Sequence, residues 1–155
     1  MTVTCSCCGQ ERPVEQVGEL QCHPETRVCR DCISWLHHQA GMVETTPTFP
    51  VLDMAATIAF YESIGFDVHA YDDGFAFVQY EDVSVFDLDL RPDLDVSRNM
   101  AGCFLIVPDS DVWHARVVAA GVSAGPLEDM PWGMREFAFS DPNGNRVRVG
   151  TTIST

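Results

Sequence analysis

The sequence contains no lysine, and its 9 basic residues, all arginines, stand against 23 aspartates and glutamates. The formal net charge of −14 makes a polyanion a poor partner, so we expect no binding to nucleic acid. No apolar run approaches the roughly 18 to 20 residues that a membrane span needs, and the first residues lack the basic-then-apolar order of a secretory signal. These absences predict a cytoplasmic protein without a membrane-spanning segment.

The negative charge is distributed unevenly along the chain. Residues 1–42 hold 3 arginines and 5 acidic residues, whereas residues 43–155 hold 6 arginines and 18 acidic residues. The larger part is therefore the acidic one, and it favours cationic ligands. The alternative is that the charge serves solubility alone.

Cysteine is also concentrated, with six of the seven within the first 32 residues. Two C-x2-C pairs stand out, Cys5 with Cys8 and Cys29 with Cys32, at a separation close to that of tetrahedral zinc sites. Two intervening residues let one tight turn direct both thiolates at a single ion. We predict one structural zinc per chain on these four cysteines, with a second set of candidates in Cys7, Cys22 and His23.

Four thiolates would close the coordination sphere of the zinc and leave no position for a catalytic water. The segment "ISWLHHQAG" after Cys32 predicts a helix that ends near Gly41, with Ile33, Leu36 and Trp35 on one side. A cysteine turn, a hairpin and a cysteine pair that opens a helix resemble the treble-clef and RING-like zinc modules, here over residues 1–42. The alternative is a disulfide-bonded appendage.

The rest of the chain repeats itself. "PVLDMAATIAFYESIGF" and "FLIVPDSDVWHARVVAAGV" each give an apolar strand, an aspartate and a glycine twelve residues later, with Asp53 and Asp109 offset by 56. The aspartates read as helix N-caps and the glycines, Gly65 and Gly121, as C-terminal stops. "GFAFVQYEDVSVFDL" and "REFAFSDPNGNRVRV" align Phe75 with Phe137, so the second copy has six extra residues, in which "PLEDMPWG" falls.

This pattern predicts an α+β domain over residues 43–155. Two βαβββ modules, at about 45–90 and 101–150, are joined by the polar linker 91–100 and form a curved mixed sheet. Each helix covers one face of its strands, which leaves the other face open for a ligand or a partner.

The paired modules resemble the vicinal oxygen chelate superfamily, which includes glyoxalase I and the extradiol dioxygenases. "FPVLDMAATIAFYESIGF", "YDDGFAF" and "PWGMREFAFSDPNGN" resemble the bleomycin resistance proteins in particular. The resemblance covers about residues 45–150 and does not include the cysteine-rich front. It implies a homodimer that binds the antibiotic reversibly, without altering it, in clefts between two subunits.

Enzymes of that superfamily bind a divalent metal through His, Gln or Glu on the first and last strands of the modules. The corresponding residues here are Thr46, Gly102 and Arg148, and none of them is a usable ligand. The other reactive residues of the larger part form no recognisable catalytic arrangement. We interpret His114 as a surface or packing residue and Cys103 as a small core residue, and His69 is as readily solvated as site-lining. The sequence therefore favours binding without metal-centred catalysis.

The open faces are predicted to offer aromatic rings and carboxylates, which suit a cationic aromatic small molecule. The alternation on the strands puts Phe75 with Phe77, and Ser84 with Phe86 and Leu88, on that side. The predicted ligand contacts are Trp132, Phe75, Phe86, Tyr71, Asp72 and Glu136. For Phe77, Phe137 and Phe139 a core position is the alternative, and Tyr61 is expected to pack its helix onto the sheet.

Three functions are compatible with the sequence. The first is sequestration of a bleomycin-type antibiotic without turnover, which gives drug resistance. The second is a small-molecule enzyme or ligand sensor of the same superfamily. The third is an adaptor that uses its zinc module to recruit a partner.

Overall fold

The computed structural model describes residues 1–20, 23–41 and 45–153, with only the backbone of His38. The chain divides into two compact units, Met1–Thr45 and Thr46–Thr155, here called the N-terminal and C-terminal units. The predicted boundary between residues 42 and 43 lies outside the described residues. No helix within the described ranges is long and apolar enough to cross a membrane.

The N-terminal unit consists of two short hairpins and a helix. Strand β1 (Thr2–Thr4) pairs antiparallel with β2 (Glu11–Pro13), and β3 (Val17–Leu20) pairs antiparallel with β4 (His23–Cys29). Helix α1 (Arg30–Gln39) follows β4 directly, so Cys32 lies in its first turn. The hairpin and the helix that the sequence predicts around the cysteine pairs are both present.

The C-terminal unit repeats one order of elements twice. The first module contains β5 (Thr48–Val51), α2 (Met54–Ile64), β6 (Asp67–Ala70), β7 (Phe75–Tyr80) and β8 (Val83–Leu90). The second module contains β9 (Gly102–Ile106), α3 (Ser110–Ala119), β10 (Glu128–Met130), β11 (Met134–Ser140) and β12 (Arg146–Thr152). The predicted α+β duplication of βαβββ modules is confirmed.

Each module forms a four-stranded mixed sheet with the same topology. The strand orders are β5-β8-β7-β6 and β9-β12-β11-β10. In each sheet the first strand runs parallel to the last, and the other neighbours are antiparallel.

The helix ends follow the sequence. The Asp53 side chain accepts a hydrogen bond from the Ala56 N–H, and Asp109 accepts from the N–H groups of Asp111 and Val112, so both aspartates are N-caps. Gly65 ends α2 with φ of 98°, in the left-handed region that a helix C-cap often requires.

The helical side of the two sheets forms one hydrophobic core that both modules share. Tyr61 of α2 lies against Phe86 with ring centroids 4.9 Å apart, and Phe66 of the first module lies 5.3 Å from Trp113 of the second. The predicted packing role of Tyr61 is confirmed.

The turn between β11 and β12 contributes a buried polar network to this core. Asp141 accepts hydrogen bonds from the backbone N–H groups of Asn143 and Asn145 and from the Tyr61 hydroxyl, the last at 3.1 Å. Asn143 accepts from the Leu52 N–H, and Asn145 donates to the Pro50 carbonyl at 3.0 Å. The "DPNGN" segment therefore ties the second module to the first, beyond its role as a turn.

The two Phe-Ala-Phe segments lie on opposite faces of their sheets. In the second module Phe137 and Phe139 are buried in the core. In the first module Ala76 and Val78 are buried, and Phe75 and Phe77 face outward. The strand pairing explains this: Ala76 lies opposite Leu88, and Phe137 lies opposite the equivalent Val149. The alignment of Phe75 with Phe137 was wrong by one residue, and one residue reverses the face.

The predicted position of Phe86 on the open face is also wrong. Phe86 is 0% exposed and stacks on Phe49 with ring centroids 4.6 Å apart. Strand β8 carries apolar residues in both phases, Val83 and Val85 in one, Phe86 and Leu88 in the other, so alternation did not determine its faces. The open face of β8 carries Val85, Asp87 and Asp89 instead.

The extra length of the second module lies where the sequence predicts it, around "PLEDMPWG". Ala124 pairs with Phe139 as Val68 pairs with Val78, and Val78 and Phe139 hold equivalent positions on their strands, so the modules match as far as Ala124. The excess therefore lies between Ala124 and Phe139, in the longer β10–β11 hairpin. Trp132 lies in the tight turn between β10 and β11, which corresponds to the turn between β6 and β7.

Candidate functional site

The four cysteines predicted to bind zinc come together in the N-terminal unit. Their sulfur atoms all lie within 4.8 Å of one another, with Cys5 Sγ 3.9 Å from Cys32 Sγ and Cys8 Sγ 3.8 Å from Cys29 Sγ. Because a disulfide would bring two sulfurs to about 2.05 Å, these are free thiols. The disulfide alternative is not what the structure shows.

The separations fit a tetrahedral metal ion. A Zn–S bond of about 2.3 Å places the sulfurs of a tetrahedral site about 3.8 Å apart, close to both shorter distances. The N–H of Cys29 also donates to Cys5 Sγ at 3.2 Å. The backbone N–H groups of Cys8 and Cys29 lower the pKa of the Cys5 thiol to about 6, which favours the thiolate that a metal requires.

The second set of predicted ligands is not in this group of four. His23 is exposed and lies 3.5 Å from Glu25, on the outer part of β4. Cys7 is exposed. Its side chain nevertheless forms a hydrogen bond with Cys32, which is the main cause that raises the pKa of the Cys32 thiol. Cys22 lies outside the described residues.

The open face of the first sheet carries a cluster of aromatic rings. Phe75 and Phe77 have ring centroids 5.4 Å apart, and Tyr71 lies 6.1 Å from Phe77, both in edge-to-face geometry. Tyr71 and Phe77 are exposed to solvent. Asp72, predicted to attract a cation, is exposed and accepts a hydrogen bond from the Gly74 N–H in the turn before β7.

Two carboxylates that the sequence reasoning missed lie beside these rings. Across the β7–β8 pair Asp87 is opposite Phe77, and Asp89 is opposite Phe75. Asp89 forms a 2.6 Å ion pair with Arg91. In Asp87 the Oδ1 atom is buried and has no hydrogen-bond partner within the described ranges, and burial raises the pKa of this carboxyl. The alternation of "VFDLDL" could have identified both aspartates once the face of Phe86 was known.

The open face of the second sheet has a different composition. The guanidinium of Arg148 lies 4.5 Å from the centre of the Phe104 ring and forms an ion pair of 2.5 Å with Glu136. Gly150 makes this arrangement possible, because a Cβ there would lie 2.9 Å from the Phe104 ring and 3.1 Å from the Glu136 Cβ. Ile106, on the same face, is 74% exposed.

Glu136 and Trp132 are joined rather than independent. The Trp132 Nε1 donates to Glu136 Oε2 at 3.2 Å, and Arg148 holds the other carboxylate oxygen. Glu136 is only 5% exposed, whereas Trp132 is 62% exposed. Glu136 was predicted to contact a ligand directly; its two oxygens are instead engaged with the tryptophan and the arginine.

The positions that would hold a metal in an enzyme of the resembled type carry no ligand set. Thr46 precedes β5. A side chain in place of Gly102 would collide with the Arg146 carbonyl, because its Cβ would lie 2.6 Å from the carbonyl oxygen. Arg148 has no acceptor atom for a cation. Within the ranges that the structure describes, the four cysteines are the one group of three or more potential metal ligands.

The remaining reactive residues have structural surroundings. His114 lies edge-on to Phe137 and within 3.1 Å of the Gly125 carbonyl, as expected for a packing residue. Burial raises the pKa of Cys103 to about 11, so this thiol stays protonated near neutral pH and is a poor nucleophile. His69 is exposed on β6, opposite Phe77.

Comparison with known proteins gives a consistent result for the C-terminal unit. The family model described as the Glyoxalase/Bleomycin resistance protein/Dioxygenase superfamily matches residues 36–149. A bleomycin resistance protein from Klebsiella pneumoniae is 28% identical over 114 residues, which are 68% of this chain and 90% of that protein.

Solved structures of drug-binding proteins have the same fold. The crystal structure of a bleomycin resistance determinant encoded on the transposon Tn5 matches with a TM-score of 0.66 at 25% identity, over 72% of this chain and 98% of that one. The bleomycin-binding protein of the producer Streptomyces verticillus, solved with copper(II)-bleomycin, matches with a TM-score of 0.60 at 26% identity, over 74% and 98% of the two chains.

Proposed function

We propose that this chain, which belongs to the glyoxalase/bleomycin resistance protein/dioxygenase superfamily, binds and sequesters a bleomycin-type glycopeptide antibiotic, or a similar cationic aromatic molecule, without altering it. The observation that carries the proposal is the chemistry of the open faces. On the first sheet they hold exposed rings beside carboxylates, with Asp87 opposite Phe77 and Asp89 opposite Phe75.

The rings suit a flat heteroaromatic ligand. Phe75, Phe77 and Tyr71 form one contiguous cluster, so a planar group could contact more than one ring at once. Offset and edge-to-face ring contacts contribute roughly 0.5 to 1.5 kcal/mol each beyond the buried area. Trp132 offers a further exposed ring on the second sheet, with its orientation set by Glu136.

We further propose a homodimer with its ligand clefts between the subunits. The second sheet and its β10–β11 turn expose three large apolar side chains, Ile106, Phe104 and Trp132. Exposed apolar side chains grouped on one sheet are typical of protein interfaces and binding grooves. A second copy would enclose a ligand that a single open sheet leaves exposed to water.

The N-terminal unit is proposed to hold one structural zinc per chain. Four cysteine sulfurs complete a tetrahedral site, so no coordination position remains for substrate or water. Among its described residues the unit has a small cluster of buried side chains, Cys5, Val28 and Cys29, and a metal would supply folding free energy beyond what this core contributes. Free thiols also agree with a location in the cytoplasm.

Native mass spectrometry of the purified protein, with and without metal-free and copper-loaded bleomycin, tests the whole proposal. The expected spectrum is a dimer with one zinc per chain that takes up one or two drug molecules of unchanged mass. Trp132→Ala should lower drug uptake, whereas Trp35→Ala, which removes an indole that is 58% exposed in the other unit, should not. A change in the mass of the recovered drug would show that the protein alters it, and would contradict sequestration without turnover.

A further inference from the structure

The duplication of the C-terminal unit places Asp87 and Arg148 at equivalent positions. Asp87 on β8 lies opposite Thr48 of β5, and Arg148 on β12 lies opposite Phe104 of β9. Thr48 and Phe104 each precede the N-cap aspartate of the following helix by five residues. Both side chains therefore occupy the same place on the open face of the last strand of their module.

The two charges have opposite surroundings. In the second module the cation of Arg148 is compensated by the Glu136 carboxylate and by the face of the Phe104 ring. The residue that matches Glu136 in the first module is Phe75, because Glu136 lies opposite Gly150 and Phe75 lies opposite Asp89 in the same register. The first module, which carries the Asp87 anion, therefore has the ring of Phe75 at the position where the second module has the counter-ion Glu136.

Asp87 is consequently an anion without its cation. Its Oδ1 atom is buried and accepts no hydrogen bond from any described residue. The arginine that follows the same strand, Arg91, is already paired with Asp89. Leaving a buried carboxylate oxygen unpaired costs free energy in the ligand-free protein. A buried polar atom without a partner calls for an explanation, and a group that acts on a bound partner is one.

We propose that Asp87 anchors a positively charged group of a planar aromatic ligand, with the ring cluster of Phe77, Phe75 and Tyr71 holding the plane of that ligand. The proposal deepens the function proposed above and rests on it for the class of ligand. Asp87 lies directly opposite Phe77 in the strand register, so a cation seated on the carboxylate would lie next to the aromatic ring as well. A carboxylate and a ring together recognise a cation more strongly than either group alone.

The test compares Asp87→Asn with a matched control, Asp93→Asn. Asparagine keeps the shape of Asp87 and removes its charge. The control Asp93→Asn removes the same charge at a residue that is exposed in the linker. The full-length variants are titrated with metal-free bleomycin, with the planar cation ethidium, and with phenanthridine, which is a related ring system without the charge.

For both cations the expected result is an affinity loss of about tenfold in Asp87→Asn, and a change of less than about twofold in Asp93→Asn. Phenanthridine binding should be the same in the three proteins. If the wild type binds ethidium in a manner that depends on Asp87 but does not bind bleomycin, the drug assignment fails and the cation site stands. If Asp87→Asn binds both cations as the wild type does, if the wild type binds neither, or if the variant changes its oligomeric state, the cation site is overturned.

Discussion

The indole Nε1 of Trp132 donates a hydrogen bond of 3.2 Å to Oε2 of Glu136, so an exposed ring is held by a buried carboxylate four residues away. The other oxygen of the same carboxylate is held by Arg148, whose guanidinium packs on Phe104. Glu136 thereby links the orientation of Trp132 to the packing of the second open face.

Replacing Glu136 should loosen Trp132 and destabilise the C-terminal unit. Glu136→Ala removes the acceptor of the indole and the counter-ion of Arg148, and we expect a loss of about 1 to 3 kcal/mol in the free energy of unfolding. Glu136→Gln keeps an acceptor for Trp132 and should cost less. Urea denaturation measures the loss, and acrylamide quenching in a Trp35→Phe background reports the exposed Trp132 beside the buried Trp113.

The matched control is Glu128→Ala, which lies opposite Glu136 on β10 but is exposed. It should leave both stability and quenching near the wild-type values. Unchanged quenching in Glu136→Ala would show that Trp132 is oriented by something other than this hydrogen bond.

Much of the fold could be predicted from local sequence. Asp53 and Asp109 cap the two helices as predicted, because a helix N-cap needs only a side-chain oxygen and a free backbone N–H nearby. The cysteine pairs also converge as predicted, since their spacing fixes each turn locally. These features depend on contacts within a few residues, which a single sequence displays directly.

The faces of the strands could not be predicted as reliably. Phe75 and Phe137 share the same tripeptide but point to opposite sides, because the cross-strand register determines the face and a one-residue shift reverses it. The same difficulty put Phe86 on the wrong side and hid Asp87. The interactions of Glu136 depend on Gly150 and Phe104 from other strands, so they too required the three-dimensional structure.

The buried network of the "DPNGN" turn should be a major source of stability. Asn145 is fully buried, donates to the Asp141 carboxylate at 2.8 Å and to the Pro50 carbonyl, and accepts from Asn99. Asn145→Ala leaves several buried groups unpaired at once, so we expect a loss of about 2 to 4 kcal/mol in the free energy of unfolding. Urea denaturation of Asn145→Ala measures it.

A substitution in the same turn separates this network from the turn itself. Pro142 is exposed and contributes no side chain to the hydrogen bonds, so Pro142→Ala should cost less than about 1 kcal/mol. Equal losses in the two variants would mean that turn conformation, not the buried network, provides the stability.

Removal of metal should unfold the N-terminal unit alone. Chelation, or the substitution Cys29→Ser, should release the proposed zinc and abolish the dispersed amide signals of residues 1–45 in a full-length NMR spectrum, because the described core of this unit is small and a metal would supply folding free energy. Signals of residues 46–155 should stay in place. Cys7→Ser is the control, since Cys7 lies outside the group of four, and it should retain one zinc per chain by mass spectrometry. Loss of zinc from Cys7→Ser would revise the ligand set.

The charge of Asp87 should lower the stability of the ligand-free protein in a manner that depends on pH. Burial raises the pKa of this carboxyl above its usual 3.8, so the folded protein binds the proton more tightly than the unfolded chain does. The stability that the protonated form contributes is fully present below pH 3.8 and is lost as the pH rises through the folded pKa. Asp87→Asn should therefore unfold with a free energy equal to or above that of the wild type at pH 7.

The gain is expected to be less than about 1 kcal/mol, since the carboxyl is partly open to solvent. It should shrink towards zero as the pH falls to the usual pKa of the group. The other titratable groups on the strands of this face, Asp67, His69 and Asp89, are present in both proteins, so the difference between the two unfolding curves isolates Asp87. Asp93→Asn should show no such dependence, because Asp93 is exposed in the linker. A variant less stable than the wild type at neutral pH would mean that the Asp87 charge supports the fold, and would remove the reason to assign that charge to a ligand.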